Sequence, residues 1–370
     1  MDTATPEKRS LIPVRLKSSA PMLALLAVLL ALPFIIAILN GQSIDGVLAN
    51  EPGNSKFIQG LMIECFILAV FAISYDLVLG VTGMLSLGHA FFFAFNAYLT
   101  GVMLKSFEWS LFPTIGLVVM ASIVQALLFA IVLPRVGGGL TFALVTFGMG
   151  SVFDIVIRTP ELNEYTGADV GLQAIPRPDF INPATERLNF YFVALAFAIL
   201  VYLLYRRFVD SPTGRVCTAI RENEDRARML GYNVFYFQLA ALTVSAVTAG
   251  LAGTMHTLYK PLVSPEIAGL HYTVDAFLML LIGGMGTLSG AMVGATTYRL
   301  LEFYLHRWFE ESAGFILGAA YVMLVLFVPY GIVGTWKLRS FQIKKGWQER
   351  MAALRRLVTP APPECRRPPD

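Results

Sequence analysis

Long apolar stretches dominate this sequence and restrict what it can fold into. Hydrophobic residues make up 56% of the 370 residues and charged residues only 14%. A helical run of about 20 apolar residues spans the hydrocarbon core of a bilayer, roughly 30 Å thick. Alternating strand-like segments do not occur, so the sequence predicts an all-α, polytopic membrane helical bundle. The bundle is expected to have about ten segments: 21–39, 57–80, 84–105, 111–133, 140–158, 189–206, 233–258, 273–288, 290–306 and 313–333.

Basic residues indicate how these segments are oriented. Four of them precede the first segment, which no small-residue cleavage site clearly follows, so we expect an uncleaved first span with a cytoplasmic flank. An even number of segments places Arg135, the loop 207–232 and the C-terminal tail on the side of the N-terminus, and these regions carry most of the Lys and Arg. The sequence therefore predicts a cytoplasmic segment 1–20, a transmembrane domain 21–336 with a cytoplasmic loop 207–232, and a cytoplasmic tail 337–370.

The stretch between Arg206 and Gly231 is abruptly hydrophilic, with ten charged side chains. Ser211 and Pro212 are typical of a helix start, and Gly231 suits the left-handed position that ends one. We therefore expect one amphipathic helix, too short to span the bilayer. Its apolar face is predicted to comprise Val216, Ala219, Ile220, Asn223, Ala227 and Leu230. Such a helix either presents a surface to a soluble partner or packs on its own membrane domain.

Motifs for enzyme chemistry are absent from the sequence. It has no Gly-x4-Gly-Lys-Ser/Thr phosphate loop, so we do not expect the chain to hydrolyse a nucleotide itself. None of its four histidines stands in a His-Glu-x-x-His motif, and no Gly-x-Ser-x-Gly turn occurs. The three cysteines fall in a span, in the charged loop and in the tail, where neither a disulfide nor a metal site is expected. Catalytic residues, resident cofactors and metals are therefore not predicted.

Glycines interrupt the apolar pattern at two places, 80–88 and 283–290. Paired Gly-interrupted segments are typical of transporters with broken helices, where freed backbone groups meet a polar solute. Close packing of helices through small residues is the structural alternative. Ionisable residues also fall inside apolar runs, where they tend to face an interior or a cavity. They are Glu64, Asp76, Asp154, Asp275, Arg299 and Glu302, a set too scattered in sequence to predict a proton relay.

Several ordered motifs between residues 64 and 334 resemble a known family. They include Gly-Met-Leu-Ser-Leu-Gly-His-Ala-Phe-Phe at 83–92, Thr-Gly-Ala-Asp-Val-Gly-Leu at 166–172, Ala-Gly-Leu-Ala-Gly at 249–253 and Val-Ser-Pro-Glu at 263–266. The charged loop, with Gly-Arg at 214–215 and Ala-Ile-Arg-Glu-Asn-Glu at 219–224, continues the match. In these motifs the chain resembles the LivM-type permease subunit of ABC importers for branched-chain amino acids.

The resemblance implies the partners and the functional residues. Such a permease works in the bacterial inner membrane with a second homologous permease, two cytoplasmic ATPases that bind ATP, and a periplasmic or extracellular substrate-binding protein. The helix in the charged loop would insert into a groove on the ATPase. The binding protein would dock at residues 166–176 of the outward loop 159–188, for which a structured surface loop is the alternative. ATPase coupling then falls to Ala219, Ile220, Arg221, Glu222, Glu224, Ala227, Leu230 and Gly231. The expected translocation path includes Ser86, Gly88, His89, Asn96, Gly283, Gly284 and Thr287.

Departures from the family pattern leave the substrate open. Asp76 stands where an asparagine is expected, Asp275 replaces a glutamate, and Gly137 to Phe142 differs from the usual Arg-Gly-x-Tyr-Phe. The wider group also moves urea and small amides, so branched-chain amino acids, urea and short amides are all candidate substrates. A proton-coupled secondary transporter is a further alternative, but it requires a carboxylate relay and does not require the charged loop.

Overall fold

A computed structural model describes residues 14–43, 46–47, 50–136, 139–327 and 331–336. Helices make up nearly all of the regular structure in these residues. Their bounds are α1 Val14–Leu39, α2 Asn54–Tyr75, α3 Ala90–Lys105, α4 Leu111–Ala130, α5 Leu133–Val136, α6 Leu140–Ile157, α7 Asn163–Thr166, α8 Arg187–Asp210, α9 Pro212–Glu222, α10 Glu224–Met229, α11 Val234–Tyr259, α12 Leu270–Gly283, α13 Leu288–Phe309 and α14 Ala313–Phe327. Two strands, β1 Leu172–Gln173 and β2 Leu262–Val263, pair antiparallel.

The predicted all-α, polytopic membrane fold is confirmed. A helix coincides with each of the ten apolar segments, and the differences lie at their ends. Within the described residues, five helices are long and apolar enough to cross a membrane, or six if the bent pair α12 and α13 counts as one span. Shorter apolar helices occur at Ala24–Leu39, Ala90–Lys105 and Gly314–Met323. The tail 337–370, most of the segment 1–20, and Gly137 and Gly138 lie outside the described residues.

One compact unit comprises residues 1–63 and 179–193. Its described part is held by hydrogen bonds to helix carbonyls: Ser55 Oγ donates to the Pro33 carbonyl at 2.8 Å, and Tyr191 Oη to the Leu29 carbonyl at 2.6 Å. Ala37, Val47 and Leu188 form its buried apolar cluster.

The second compact unit comprises residues 64–178 and 194–370. In its centre α11 packs against α3 and α4. Small residues allow this close approach, since a Cβ on Gly253 would collide with the Phe93 carbonyl. Hydroxyls also join the helices: Thr257 Oγ1 donates to the Ala97 carbonyl at 2.8 Å, and Thr100 and Thr254 share a hydrogen bond of 2.9 Å. The result is a packed core of small and weakly polar side chains, as expected for helices in lipid.

The short sheet connects the loop after α6 to the end of α11. Leu172 pairs with Val263, and Gln173 pairs with Leu262. Arg177 in the same loop donates to the Lys260 carbonyl at 2.6 Å. The part of the predicted outer loop up to residue 178 is therefore fixed to the residues that follow α11.

Candidate coupling surface and translocation region

The charged loop folds as two consecutive helices, α9 and α10, each with its own cap. Ser211 Oγ accepts from the Gly214 amide at 3.2 Å and caps α9, as the sequence predicts. Asn223 has extended backbone, and its Oδ1 accepts from the Arg226 amide at 2.8 Å to cap α10. Gly231 follows α10 with φ +88°, the left-handed conformation expected of it.

The prediction of one continuous helix is wrong at Asn223. Asparagine competes for backbone hydrogen bonds as an N-cap, so it ends α9 and starts α10. The predicted apolar face is kept only in part across the break. Ile220 and Ala227 are buried with Val234, and Val216 packs against them. Ala219, Asn223 and Leu230 are exposed instead, Leu230 to 72%.

The remaining predicted coupling residues are exposed or half-buried. Arg221, Glu222 and Gly231 are exposed, and Glu224 is half-buried beside Arg228 at 2.5 Å. Ile220 and Ala227 belong to the small core that holds α9 and α10 against α11. The exposed surface of the helix pair thus combines charged side chains with Leu230 and its exposed neighbour Met229.

Arg221 links α9 to both Gly-interrupted segments. Its guanidinium donates to the Gly80 carbonyl, at the end of the π-helical turn Asp76–Val81 that continues α2. Gly83 lies against the Arg221 side chain and Gly286 against its guanidinium, so a Cβ at either glycine would meet it closely. The Gly286 amide in turn donates to Asp76 Oδ1 at 2.7 Å. One arginine therefore contacts the two breaks that the sequence places about 200 residues apart.

The predicted path residues of the first break lie in a packed interior. The chain between the π turn and α3 is not helical, and Ser86, His89 and Asn96 are fully buried. His89 Nε2 lies 3.0 Å from Ser74 Oγ, and its ring stacks on Tyr75 at 4.7 Å. Asn96 Nδ2 donates to Gln125 Oε1 at 2.9 Å.

Gly88 and the second break are sites of close backbone approach. A Cβ on Gly88 would collide with the Thr146 carbonyl of α6, and one on Gly283 with the Gly290 carbonyl of α13. Gly284 turns the chain with φ +110°, and the Thr287 hydroxyl donates back to its carbonyl at 2.6 Å. Helices α12 and α13 meet there at an angle of 114°. The role of all seven residues in translocation stays a prediction.

Four of the ionisable residues noted in the sequence border one cavity. Glu64, Asp275, Arg299 and Glu302 line a space of about 300 Å³ together with Lys260, His256, Tyr272 and Tyr298. Glu64 forms ion pairs with Lys260 and Arg299, and Arg299 Nη1 also contacts Glu302 at 2.7 Å. Sequence reasoning missed Lys260, which lies just beyond an apolar run, because nothing in the local pattern relates it to a glutamate 196 residues earlier.

A protein-family model matches most of this chain. The model described as "Branched-chain amino acid transport system / permease component" covers residues 57–330, about three quarters of the chain. The chain belongs to this permease family. The resemblance seen in the sequence motifs is thereby confirmed, and the membership agrees with the lack of enzyme motifs.

Relatives of the chain include LivM and LivH permease proteins. The chain is 28% identical over 307 residues to the high-affinity branched-chain amino acid transport system permease protein LivM of Salmonella typhimurium, covering 74% of this chain and 70% of the relative. LivM of Escherichia coli is 28% identical over 292 residues, 71% of this chain and 67% of that relative. LivH of Escherichia coli is 23% identical over 290 residues, 72% of this chain and 91% of that relative. No solved structure matched the chain significantly.

Membership and apolar helices together make this permease a multi-pass membrane protein. The described residues contain no group of three or more His, Cys, Asp or Glu side chains arranged to hold a metal ion.

Proposed function

We propose that this chain is the membrane-spanning permease subunit of an ATP-driven ABC importer that moves branched-chain amino acids, or similar small polar solutes, into the cytoplasm. The observation that carries the proposal is the contact between Arg221 and Gly80. It joins a helix with an exposed charged and apolar surface to the interrupted membrane helices. A movement imposed on α9 by a soluble partner would therefore reach the π turn and Gly286 directly.

The partner on this surface would be a cytoplasmic ATPase. Ala219, Arg221, Glu222, Leu230 and Gly231 are exposed and available to contact it. Ile220 and Ala227 are buried, so their role would be to keep α9 and α10 fixed to α11. ATP would be bound by two such ATPase subunits, and this chain would hold no cofactor of its own. Coupling requires that the ATPase contacts differ between two conformations of the permease.

The remaining partners follow from the same assignment. The relatives include LivM and LivH, two permease proteins of high-affinity branched-chain amino acid transport systems, which supports a second, homologous permease subunit beside this chain. The loop 166–176, fixed to β2, would be the surface for a substrate-binding protein on the outer side. This orientation puts both termini in the cytoplasm of a bacterial inner membrane, in agreement with the Lys and Arg distribution.

Reconstitution tests the proposal. Liposomes holding this chain with a LivH-type permease, its ATPases and its binding protein should take up leucine only with internal ATP. Leu230→Asp should release the ATPases because it places a charge in an exposed apolar contact, while the exposed position should tolerate it in the folded chain. Leu230→Met keeps the apolar contact and serves as the control. Leucine uptake without ATP, or unchanged ATPase association in Leu230→Asp, would contradict the proposal.

Two alternative functions predict different solute uptake by the same liposomes. An importer of the same class for urea or a short amide would take up those solutes, and not leucine, with ATP. A proton-coupled secondary transporter would respond to a pH gradient without ATP. Two of the cavity carboxylates, Glu64 and Glu302, are already paired with cations, which favours the ATP-driven alternative over a proton relay.

A further inference from the structure

The cavity between α2, α12 and α13 has the composition of a binding site for a small zwitterion. Its volume of about 300 Å³ lies at the lower end of the range for small-molecule sites. One part of its wall is apolar, formed by Ile67, Leu68 and Met279, and the remainder is charged or polar. A few converging polar groups beside an apolar wall are typical of sites that orient a small ligand.

Both charge signs are present in the wall, and the acidic groups are in excess. Its cations are Lys260 and Arg299, whereas Glu64, Glu266, Asp275 and Glu302 are acidic. The two cations and Glu64 and Glu302 form one connected network of ion pairs. Asp275 stands apart from it: no Lys or Arg of the described ranges forms an ion pair with it, and Tyr298 is its hydrogen-bonding neighbour. The site therefore offers one carboxylate, Asp275, that lies outside the ion-pair network of Lys260 and Arg299.

A purely structural explanation of this network is energetically poor. Charged side chains within a membrane helix are costly, and a buried ion pair is commonly no more stabilising than apolar side chains of similar size. Six ionisable Lys, Arg, Asp and Glu side chains around an open space are therefore better explained by a ligand than by stability.

One end of the cavity lies beside the short sheet. Lys260 directly follows α11, and Glu266 lies in the turn Pro265–Ala268 just after β2. The strand β2 pairs with β1 in the predicted outer loop. In the proposed orientation this end of the cavity is on the outer side, at the surface proposed for the binding protein.

We propose that this cavity is a transient binding site for an α-amino acid with an aliphatic side chain. Asp275 takes the ammonium group, and Lys260 and Arg299, which keep their ion pairs with Glu64 and Glu302, take the carboxylate with their remaining N–H donors. Ile67, Leu68 and Met279 contact the aliphatic side chain. The inference rests on the proposed function, because it assigns a site within the permease to the proposed substrate.

Equilibrium dialysis of the complete importer in detergent, without binding protein, tests the site with radiolabelled L-leucine. Two competitors each keep only one of the two charged groups of leucine: 4-methylpentanoate lacks the ammonium group, and isoamylamine lacks the carboxylate. Each should bind at least about tenfold more weakly than leucine, because each loses a charged hydrogen bond. Asp275→Asn should weaken leucine binding by a similar factor while competition by 4-methylpentanoate changes little. Glu108→Gln, which removes an exposed carboxylate outside the cavity, should bind leucine like the unchanged protein.

The outcomes separate this inference from the proposed function. A purely structural role of Asp275 would weaken leucine and 4-methylpentanoate equally, and would overturn the binding site. An importer that takes up leucine with ATP but neither binds it in dialysis nor responds to Asp275→Asn would also overturn it, with the proposed function intact. An importer that does not take up leucine at all contradicts the proposed function itself.

Discussion

Arg221 is an exposed residue whose guanidinium reaches into a site built for it. Gly80 offers its carbonyl, and neither Gly83 nor Gly286 has a side chain to occupy the space that the arginine fills. Gly83 and Gly286 also have φ values of +79° and +75°, which glycine adopts without strain. The glycines that the sequence presents as helix breaks thus serve partly to admit this one side chain.

Arg221→Ala should uncouple ATP hydrolysis from transport. Losing a charged hydrogen bond of about 1.5–3 kcal/mol should lower leucine uptake per ATP hydrolysed by about tenfold or more. Uptake and phosphate release measured on the same liposomes give this ratio. Arg215→Ala is the matched control and should keep the ratio of the unchanged importer: Arg215 is an exposed arginine of α9 whose guanidinium makes no hydrogen bond or ion pair within the described residues. A normal ratio in Arg221→Ala would show that the contact transmits nothing.

Cys217 should be almost unreactive in the folded protein. Burial against α11 raises the pKa of its thiol to about 11, so the reactive thiolate is scarce at neutral pH and increases as the pH approaches 11. In a chain with Cys65 and Cys365 replaced by alanine, maleimide should label Cys217 more than about a hundredfold slower than an exposed cysteine introduced by Asp225→Cys. Labelling rates at pH 7 and pH 9, followed by mass spectrometry, measure the difference. Both thiols should react alike in denaturant; similar rates in the folded chain would contradict the burial.

At the scale of elements, the joint between α12 and α13 depends on backbones in contact. Gly283 lies against the Gly290 carbonyl, and Gly294 lies against the Met279 carbonyl. Approach this close allows the two helices to meet at 114° across a break of four residues. The joint also carries Gly286, so its geometry sets where Asp76 and Arg221 make their contacts.

Gly283→Ala should therefore destabilise the protein, although alanine is the better helix former. Its Cβ has no space, and overpacking of this kind costs about 1–3 kcal/mol. Gly148→Ala is the matched control: this glycine of α6 has nothing within 4 Å of the added Cβ, so alanine should stabilise the protein by about 0.5–1 kcal/mol. Unfolding temperatures in one detergent compare the two. A lower unfolding temperature for Gly148→Ala than for Gly283→Ala would contradict this packing.

At the scale of the whole molecule, the sequence predicted the apolar helices because length and hydropathy are local properties of a membrane span. The break at Asn223 was missed because a cap in mid-helix depends on one side-chain hydrogen bond. The cavity was missed because its ion pairs join residues 196 and 235 positions apart. Without knowing which helices are neighbours, the same side chains look scattered along the chain.

Orientation across the membrane is open to a direct measurement on the whole chain. In a background without native cysteines, exposed cysteines introduced by Glu161→Cys and Asp225→Cys should react from opposite sides with an impermeant maleimide. In intact cells with a permeabilised outer membrane, only the first should be labelled. Lysis, as the control, should expose both. Labelling of both in intact cells would place the two loops on the same side and break the predicted topology.

The pairing of Glu64 with Arg299 bears on how the protein is made. Glu64 enters the membrane 235 residues before Arg299 is synthesised, which at about 5–20 residues per second is a delay on the order of tens of seconds. An ionisable side chain in a membrane helix is unfavourable by about 2.5–3.5 kcal/mol at the bilayer centre. Glu64 has neither of its ion-pair partners, Lys260 and Arg299, until those residues are synthesised. The second helix is apolar enough to insert on its own, so Glu64 lies in the membrane without these partners until the last third of the chain arrives. Chains truncated before Lys260 should insert this helix but be less stable in the membrane than the full chain, which protease susceptibility in membranes would measure.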